Sequence, residues 1–236
     1  MCGRMNITDN EGILILMDMI GMPTWSSIQA RYNVSPTASI ETLHACDEAS
    51  SGTFTQTQMH WGLIPPWAKE GQFKRPLINA RSETVREKPS FRHLVNANRC
   101  LVPVTGFYEW KREGKSKRPF YIFPATANAM FFGGLYQLNS AGNPEVTLLT
   151  TAANDSMSEV HDRMPVIIQP ADAIQWISRT DGDGENESDL IDALMQPVGN
   201  DVLEMYEVSA FVSNARNEGA QCTEPYQPQR QTGLDL

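Results

Sequence analysis

The feature that most constrains this chain is its succession of short segments in which apolar and polar residues alternate. Alternation is typical of β-strands, because successive side chains of a strand point to opposite faces of the sheet. No regular alternation of strands with helices accompanies these segments, which disfavours a parallel sheet built from strand–helix–strand units. The pattern therefore predicts an α+β fold, with a β-rich, barrel-like core and peripheral helices. The predicted strands are 39–45, 54–63, 99–104, 130–138, 145–152 and 202–209.

A β-hairpin is predicted in the middle of the chain. It joins 107–112 to 119–123 through a turn at 113–117. Gly114 lies in this turn, and glycine adopts a positive φ without steric cost.

Helical periodicity is confined to a few segments, which are 9–20, 171–179 and 188–196. Asp9 and Ser188 have side chains suited to capping the first and the last of these helices. The first helix is predicted to bury one apolar face, which consists of Ile13, Leu16, Met17 and Ile20.

The 236 residues are predicted to form one domain, because Pro and Gly are scattered evenly and no linker is visible. The domain is expected to span 1–222. The tail at 223–236, rich in Pro and Gln, is expected to be poorly ordered. The acidic stretch 181–189 is interpreted as an exposed loop with no assigned role.

The distribution of charge is more informative than the net charge of −9. Residues 69–118 carry 13 Lys and Arg against 5 Asp and Glu, and the remainder is strongly acidic. The acidic total disfavours a protein that binds DNA through charge alone. The basic segment is either a solvated face or part of a nucleic-acid site.

No targeting or membrane signal is visible. The chain has no apolar run near the roughly 20 residues that span a bilayer and no basic stretch followed by an apolar one. A cytoplasmic protein with no membrane partner is expected, and we expect a monomer.

The cysteines do not resemble a metal or disulfide framework. Cys46 and Cys100 lie in apolar alternating segments and are expected in the core, and no cysteine belongs to a CxxC pair or to a zinc-type spacing with histidine. We therefore predict no metal and no cofactor. The four cysteines are Cys2, Cys46, Cys100 and Cys222.

Cys2 differs from the other cysteines because it follows the initiator methionine. Removal of Met1 gives it a free α-amine and a thiol on adjacent carbons, with ordinary pKa values of about 7.7–8.0 and about 8.5. An aldehyde condenses with the amine to an imine, and the thiol then closes a thiazolidine ring. A cysteine at this position by chance, and an N-terminal nucleophile hydrolase in which Cys2 attacks an amide, are the alternatives.

Several short motifs are best considered together. The chain resembles the SOS-response-associated peptidase family, also called SRAP or abasic-site-processing proteins, from Cys2 to Gly219, and MCGR together with HDRMP is the most specific part of the match. The motifs, in order, are MCGR (1–4), RYNVSP (31–36), WGLIPPW (61–67), NARSET (79–84), GFYEW (106–110), HDRMP (161–165) and VSNARNEG (212–219).

The resemblance implies a single SRAP domain that forms a thiazolidine crosslink with abasic DNA. Carried over by motif, Cys2 is the crosslinking nucleophile, Asn79 and Arg81 come from the NAR motif, Glu109 from GFYEW and His161 from HDR. The implied partner is single-stranded DNA that contains abasic sites.

The chemistry assigns a role to each of these side chains. Imine formation requires a proton for the departing oxygen, which suits His161; a structural histidine bonded to Asp162 is the alternative. Glu109, expected at a strand edge beside aromatic residues, is suited to opening the sugar ring by moving a proton. The alternative for Glu109 is a cross-strand ion pair with Lys111, Arg112 or Lys117.

The remaining candidates are expected to hold DNA. Asn79 is assigned to orienting the Cys2 amine or the sugar, and Arg4 and Arg81 to binding the flanking phosphates, unless both arginines are plain surface residues. An apolar wedge beside a basic groove excludes a complementary strand and stacks on a base. Pro36 and Trp67 are assigned to this wedge and Trp110 to the shape of the site.

Three functions are compatible with these residues. The first is covalent capture of abasic sites, with DNA lyase activity and slow reversal as secondary expectations. The second is a cysteine peptidase that uses Cys2, His161 and Asn79, whose simplest reaction is self-removal of Met1. The third is reversible, salt-dependent binding without a covalent product.

Overall fold

The computed structural model describes residues 2–8, 10–22, 25–26, 29–45, 54–68, 75–178 and 185–227. Asp9, the predicted cap of the first helix, and Cys46 lie outside the described residues. The α-helices are α1 (Asn10–Met19), α2 (Asp155–Ser158), α3 (Ala173–Ile177) and α4 (Glu185–Leu194). The strands are β1 (Met5–Ile7), β2 (Arg31–Val34), β3 (Ser39–Ala45), β4 (Phe54–Trp61), β5 (Asn79–Arg81), β6 (Arg99–Val104), β7 (Gly106–Glu113), β8 (Ser116–Pro124), β9 (Met130–Leu138), β10 (Pro144–Ala152), β11 (Arg163–Pro165), β12 (Ile167–Ile168) and β13 (Leu203–Glu207).

Five strands close into a ring, which confirms the predicted barrel-like core of an α+β fold. The ring runs β10–β4–β3–β6–β9 and returns from β9 to β10. Closure pairs both edges of these strands, so they leave no extended edge for another chain. The large side chains of Trp61, Leu43, Leu101, Phe132 and Leu148 are fully buried.

A second, five-stranded sheet is antiparallel in the order β13–β8–β7–β1–β2. The chain passes from the ring to this sheet through Thr105, whose hydroxyl donates to the Asn6 carbonyl at 2.9 Å. The next residue, Gly106, is required by packing, because a Cβ there would lie 2.5 Å from the Tyr121 hydroxyl oxygen. This passage places β1 beside β7 and next to the ring.

The helices cover the periphery. In α1, the predicted apolar face is confirmed, since Ile13, Leu16, Met17 and Ile20 are all buried. The predicted helix 171–179 is divided into a 3-10 turn, Pro170–Asp172, and the short α3. The helix ends early, at Ile177, because the Arg99 side chain donates hydrogen bonds to the carbonyl groups of Trp176 and Ser178.

The last helix corrects two predictions. It begins at Glu185, so Ser188 lies inside α4 and is not its N-cap. Residues 185–189 of the predicted acidic loop are therefore helical, and 181–184 lie outside the described residues. The acidic composition hid this first turn because the apolar periodicity of the helix begins only at Leu190.

The long strands were predicted well. The bounds of β3, β6 and β9 agree with the sequence, and β4 ends two residues early, at Trp61. The hairpin is also confirmed, and Gly114 has a φ of +61°. The strands β1, β2 and β5 were not predicted.

The described structure continues past residue 222. Tyr226 donates its N–H to the Glu207 carbonyl at 2.8 Å, and the Tyr206 hydroxyl donates to the Thr223 carbonyl at 2.8 Å. Residues 223–227 therefore lie against β13, and 228–236 are outside the described residues. No helix within the described ranges has the length and apolarity needed to cross a bilayer.

Candidate functional site

Cys2 and Asn79 meet although 77 positions separate them in the sequence. Cys2 lies three residues before the start of β1 and is fully buried. Asn79 opens β5, which β10 holds in a parallel pair through Leu148. The Asn79 Nδ2 atom donates to the Cys2 carbonyl oxygen at 2.9 Å. The first two predicted site residues are therefore in direct contact.

The oxygen of the Asn79 side-chain amide is a second polar atom of the site. This Oδ1 atom is buried and accepts no hydrogen bond within the described residues. A buried oxygen without a donor costs free energy that a ligand carrying N–H or O–H groups recovers. Asn79 thus fixes the backbone of Cys2 and offers an acceptor beside it.

Glu109 lies in β7, paired with Phe120 of β8. On its other side, β7 pairs with β1 at Gly106 and Phe107, and the Arg4 carbonyl accepts from the Tyr108 N–H at 3.0 Å. Glu109 is only 4% exposed.

Burial and a neighbouring carboxylate both favour the neutral form of the Cys2 thiol. Burial raises its pKa far above the ordinary value, and the nearby Glu109 carboxylate raises it further. Both effects disfavour the thiolate, since burial removes water from the charge and Glu109 repels it. A cysteine peptidase requires the opposite environment, one that lowers the thiol pKa.

His161 lies between α2 and β11 and is partly buried. Its Nδ1 atom accepts a hydrogen bond from the Arg163 backbone N–H at 3.0 Å and lies 2.9 Å from Asp162 Oδ1. The first contact needs a lone pair on Nδ1, which puts the proton of the neutral ring on Nε2. The second contact places the Asp162 carboxylate beside the same ring nitrogen.

His161 and the NAR segment are joined through β10. Thr150 of β10 pairs with Arg81 on one side and with Pro165 of β11 on the other. Arg163 adds a bidentate ion pair to Glu83, just after β5. Short strands on either side of β10 therefore bring these two motifs to one place.

Arg4 is partly buried and only partly bonded. Its Nη1 atom donates to Asn33 Oδ1 at 2.8 Å and to the Val212 carbonyl at 3.0 Å, and its guanidinium lies 5.6 Å from the ring centroid of Trp110. Its Nε atom is buried and has no hydrogen-bond partner within the described part of the chain. Burial lowers the pKa of Arg4, and Arg81, by contrast, is exposed.

The predicted wedge residues lie where β4 ends. Trp67 is 51% exposed, and its loop is anchored at Ile64, whose N–H donates to Glu145 Oε2 at 3.0 Å and whose carbonyl accepts from Gln137 at 2.6 Å. Pro36 lies in a turn tied to the same place, because the neighbouring Thr37 N–H donates to the Trp61 carbonyl at 2.9 Å. Both residues are presented by anchored turns.

Three of the thirteen basic residues of the segment are occupied within the fold. Arg99 is 1% exposed, Arg86 pairs with Asp192, and Arg118 pairs with Glu113 and Glu207. The basic count of the sequence therefore overstates the positive charge available to a ligand.

The structure also gives contacts to residues that were not singled out from the sequence. Asn33 holds Arg4, and Glu218 accepts from the backbone of Asn33 at 3.1 Å. Both belong to motifs already noted, RYNVSP and VSNARNEG, and that membership was the available signal. The described cysteines Cys2, Cys100 and Cys222 are free, and no group of three or more potential metal ligands occurs among the described residues.

The chain is similar to known proteins over nearly its whole length. The chain is 34% identical over 232 residues to the abasic site processing protein YoqW of Bacillus subtilis, covering 96% of this chain and 100% of the relative. It is 29% identical to the abasic site processing protein YedK of Escherichia coli, covering 95% of this chain and 100% of that protein.

A solved structure supports the fold. A protein from Bacteroides thetaiotaomicron superposes with a TM-score of 0.76 at 22% identity, covering 96% of this chain and 100% of that one. The family model described as SOS response associated peptidase (SRAP) matches residues 1–215. The chain therefore belongs to the SOS response associated peptidase family.

Proposed function

We propose that this protein captures abasic sites in single-stranded DNA by forming a thiazolidine between Cys2 and the aldehyde of the ring-opened sugar. The relatives named as abasic site processing proteins support the substrate. The observation that carries the proposal is the group around Cys2: a buried cysteine whose carbonyl is fixed by Asn79 and whose thiol lies near Glu109.

The reaction begins at nitrogen. In the full chain the Cys2 nitrogen belongs to a peptide bond, and removal of Met1 converts it into a primary amine. The amine adds to the aldehyde carbon and water leaves, which gives an imine. Asn79 holds the Cys2 backbone for this attack, and its Oδ1 atom accepts a hydrogen bond from the amine or the sugar.

The thiol acts second. Its sulfur adds to the imine carbon and its proton passes to the nitrogen, so that the net change is loss of one water from the aldehyde and the cysteine. A neutral thiol is compatible with this order, because it delivers both the nucleophile and the proton.

Two groups move protons in the earlier steps. Glu109 transfers a proton from the sugar hydroxyl to the ring oxygen and so unmasks the aldehyde. His161, with a proton on Nε2 in its neutral ring, donates a proton to the oxygen that departs as water.

Arg4 and Arg81 bind the flanking phosphates. Trp67 with Pro36 excludes a complementary strand, and Trp110 shapes the site from beside Arg4.

The test is a denaturing gel of the protein incubated with single-stranded DNA that carries one abasic site. The wild-type protein is expected to give a denaturation-resistant species, and Cys2→Ala none. DNA without the lesion is the control, and the intact mass of the protein establishes whether Met1 is absent. An unchanged yield with Cys2→Ala would defeat the proposal.

A second variant separates the two steps. Cys2→Ser keeps the amine and replaces the thiol by a weaker nucleophile, so we expect a product that survives only after borohydride reduction of the imine. Turnover of added peptides that depends on Cys2, without a DNA adduct, would favour the peptidase interpretation. Reversible binding alone would favour a DNA-binding module.

A further inference from the structure

Residues 31–33 and the segment 209–219 form a polar clamp behind Arg4. The Asn33 Nδ2 atom donates to the carbonyl groups of Val212, Asn214 and Asn217 at 3.2, 3.1 and 2.8 Å. Asn33 is 3% exposed, so these contacts are shielded from water. One buried amide thus fixes the course of a segment about 180 residues further along the chain.

The clamp has a second attachment. Glu218 accepts from the backbone N–H groups of Tyr32 and Asn33 at 2.8 and 3.1 Å. Asn217 adds a hydrogen bond from its side chain to the Phe211 carbonyl at 2.7 Å. The segment is therefore held at both ends against β2.

Arg4 is the charged residue that this clamp holds. The two acceptors of its Nη1 atom, Asn33 Oδ1 and the Val212 carbonyl, both belong to the clamp. Trp110 covers one face of the guanidinium, and the Trp110 Nε1 atom donates to Ser213 Oγ at 3.0 Å. The Nη1 end is consequently fixed, whereas Nε makes no hydrogen bond within the described residues. A guanidinium fixed at Nη1 presents Nη2, its other terminal nitrogen, in a defined direction.

We infer that Asn33 is a positioning residue for DNA, which orients Arg4 toward a phosphate and is itself locked by residues 212–218. The inference rests on the proposed function, because it assigns Arg4 to a DNA phosphate. Asn33 touches no DNA in this scheme and acts entirely through Arg4.

A double-mutant cycle tests this coupling. The affinity for single-stranded DNA without a lesion is measured by fluorescence anisotropy for the wild type, Asn33→Ala, Arg4→Ala and the double variant. Asn33→Ala is expected to weaken binding about tenfold, near the lower end of the range for one charge-assisted hydrogen bond. In the Arg4→Ala background the same change is expected to have no further effect.

The salt dependence separates positioning from charge. Arg4→Ala removes a phosphate contact and is expected to lower the slope of log K against log salt by about 0.7. Asn33→Ala leaves the charge in place, so its slope is expected to match the wild type. A penalty for Asn33→Ala that is equal in both backgrounds indicates a structural role and overturns the inference.

Two further variants keep the test decisive. Thr42→Ala removes a buried hydroxyl that donates to the Thr57 carbonyl at 2.8 Å in the ring, and it controls for loss of stability alone. If Asn33→Ala does not fold, Glu218→Ala enters the same cycle, because Glu218 is exposed and locks Asn33 through its backbone. The expected effect is smaller and has the same dependence on Arg4.

The proposed function and the inference fail in different ways. A wild-type protein that binds single-stranded DNA and forms no adduct with an abasic site defeats the crosslinking proposal, and the cycle remains interpretable. Additive penalties in a protein that does form the adduct defeat the positioning role alone.

Discussion

Two regions of the molecule contain the same three residue types, and they use them differently. The Arg99 region consists of Arg99, Cys100 and Trp176, where β6 meets α3. The Arg4 region consists of Cys2, Arg4 and Trp110, where β1 meets β7. In each, a guanidinium lies over a tryptophan ring, at 5.8 and 5.6 Å, and a buried free cysteine is close in sequence.

The difference lies in how completely the polar atoms are bonded. All three nitrogens of Arg99 donate to backbone carbonyls, those of Trp176, Val95 and Ser178. In the Arg4 region, Arg4 Nε and the nearby Asn79 Oδ1 are buried without a hydrogen bond among the described residues. A saturated arginine holds a fold together, whereas an unsaturated one retains donors for a ligand.

Replacement of Arg99 is expected to have the largest effect on stability, and it tests whether the hydrogen bonds of Arg99 are structural. Arg99→Met leaves three buried carbonyl groups without their charged donor, and we expect the free energy of unfolding to fall by about 3 kcal/mol or more. Urea denaturation measures the loss, and adduct yield per folded molecule should not change. Exposed Arg92→Met is the control, expected within about 0.5 kcal/mol of wild type. A small loss for Arg99→Met would show that its hydrogen bonds are not structural.

Alkaline pH tests whether the two thiols are equally protected. Burial raises the pKa of both Cys2 and Cys100, and Glu109 adds to the shift at Cys2. In the unfolded chain a thiol ionises near pH 8.5, so above that pH the unfolded state loses protons while the folded state keeps them. The free energy of unfolding therefore falls as pH rises, by about 1.4 kcal/mol per pH unit for each buried thiol.

Urea denaturation between pH 7.5 and 10 measures this slope. Cys2→Ala and Cys100→Ala should each remove an equal share of it. If only Cys100→Ala reduces the slope, the Cys2 thiol is not held neutral and the order of steps proposed for the reaction is wrong.

The tryptophans give the smallest expected effect. Trp176→Phe loses a buried hydrogen bond from Nε1 to the Cys100 carbonyl, 2.9 Å long, and should cost about 2 kcal/mol. Trp110→Phe loses a hydrogen bond to Ser213 at a partly exposed position and should cost under about 1 kcal/mol. Thermal unfolding compares the two variants. Equal losses would remove the distinction between the two regions.

The fold was predictable where strands are long. Strands β3, β6 and β9 have six to nine residues, enough to display an alternating pattern. Strands β1, β5 and β11 have three residues each, too few for any period. They exist because longer strands pair with them, as β10 pairs with both β5 and β11. Their presence is a consequence of tertiary structure.

The sequence predicted which residues belong to the site, but it did not predict the contacts between them. Motifs singled out Cys2, Asn79 and Glu109, and these prove to be neighbours. The contact of Asn79 with the Cys2 carbonyl depends on strand pairing across the molecule, which local patterns do not encode. Asn33 was missed because asparagine in a short polar motif is more typical of a turn than of a buried clamp.

The pairing of β1 with β7 has a consequence for biosynthesis. Met5 pairs with Phe107, so β1 leaves the ribosome about 100 residues before its partner. At about 5–20 residues per second, the segment that carries Cys2 waits roughly 5–20 seconds without its native neighbours. During this interval Cys2 lacks the strands that later pack around it, whereas in the finished domain it is buried.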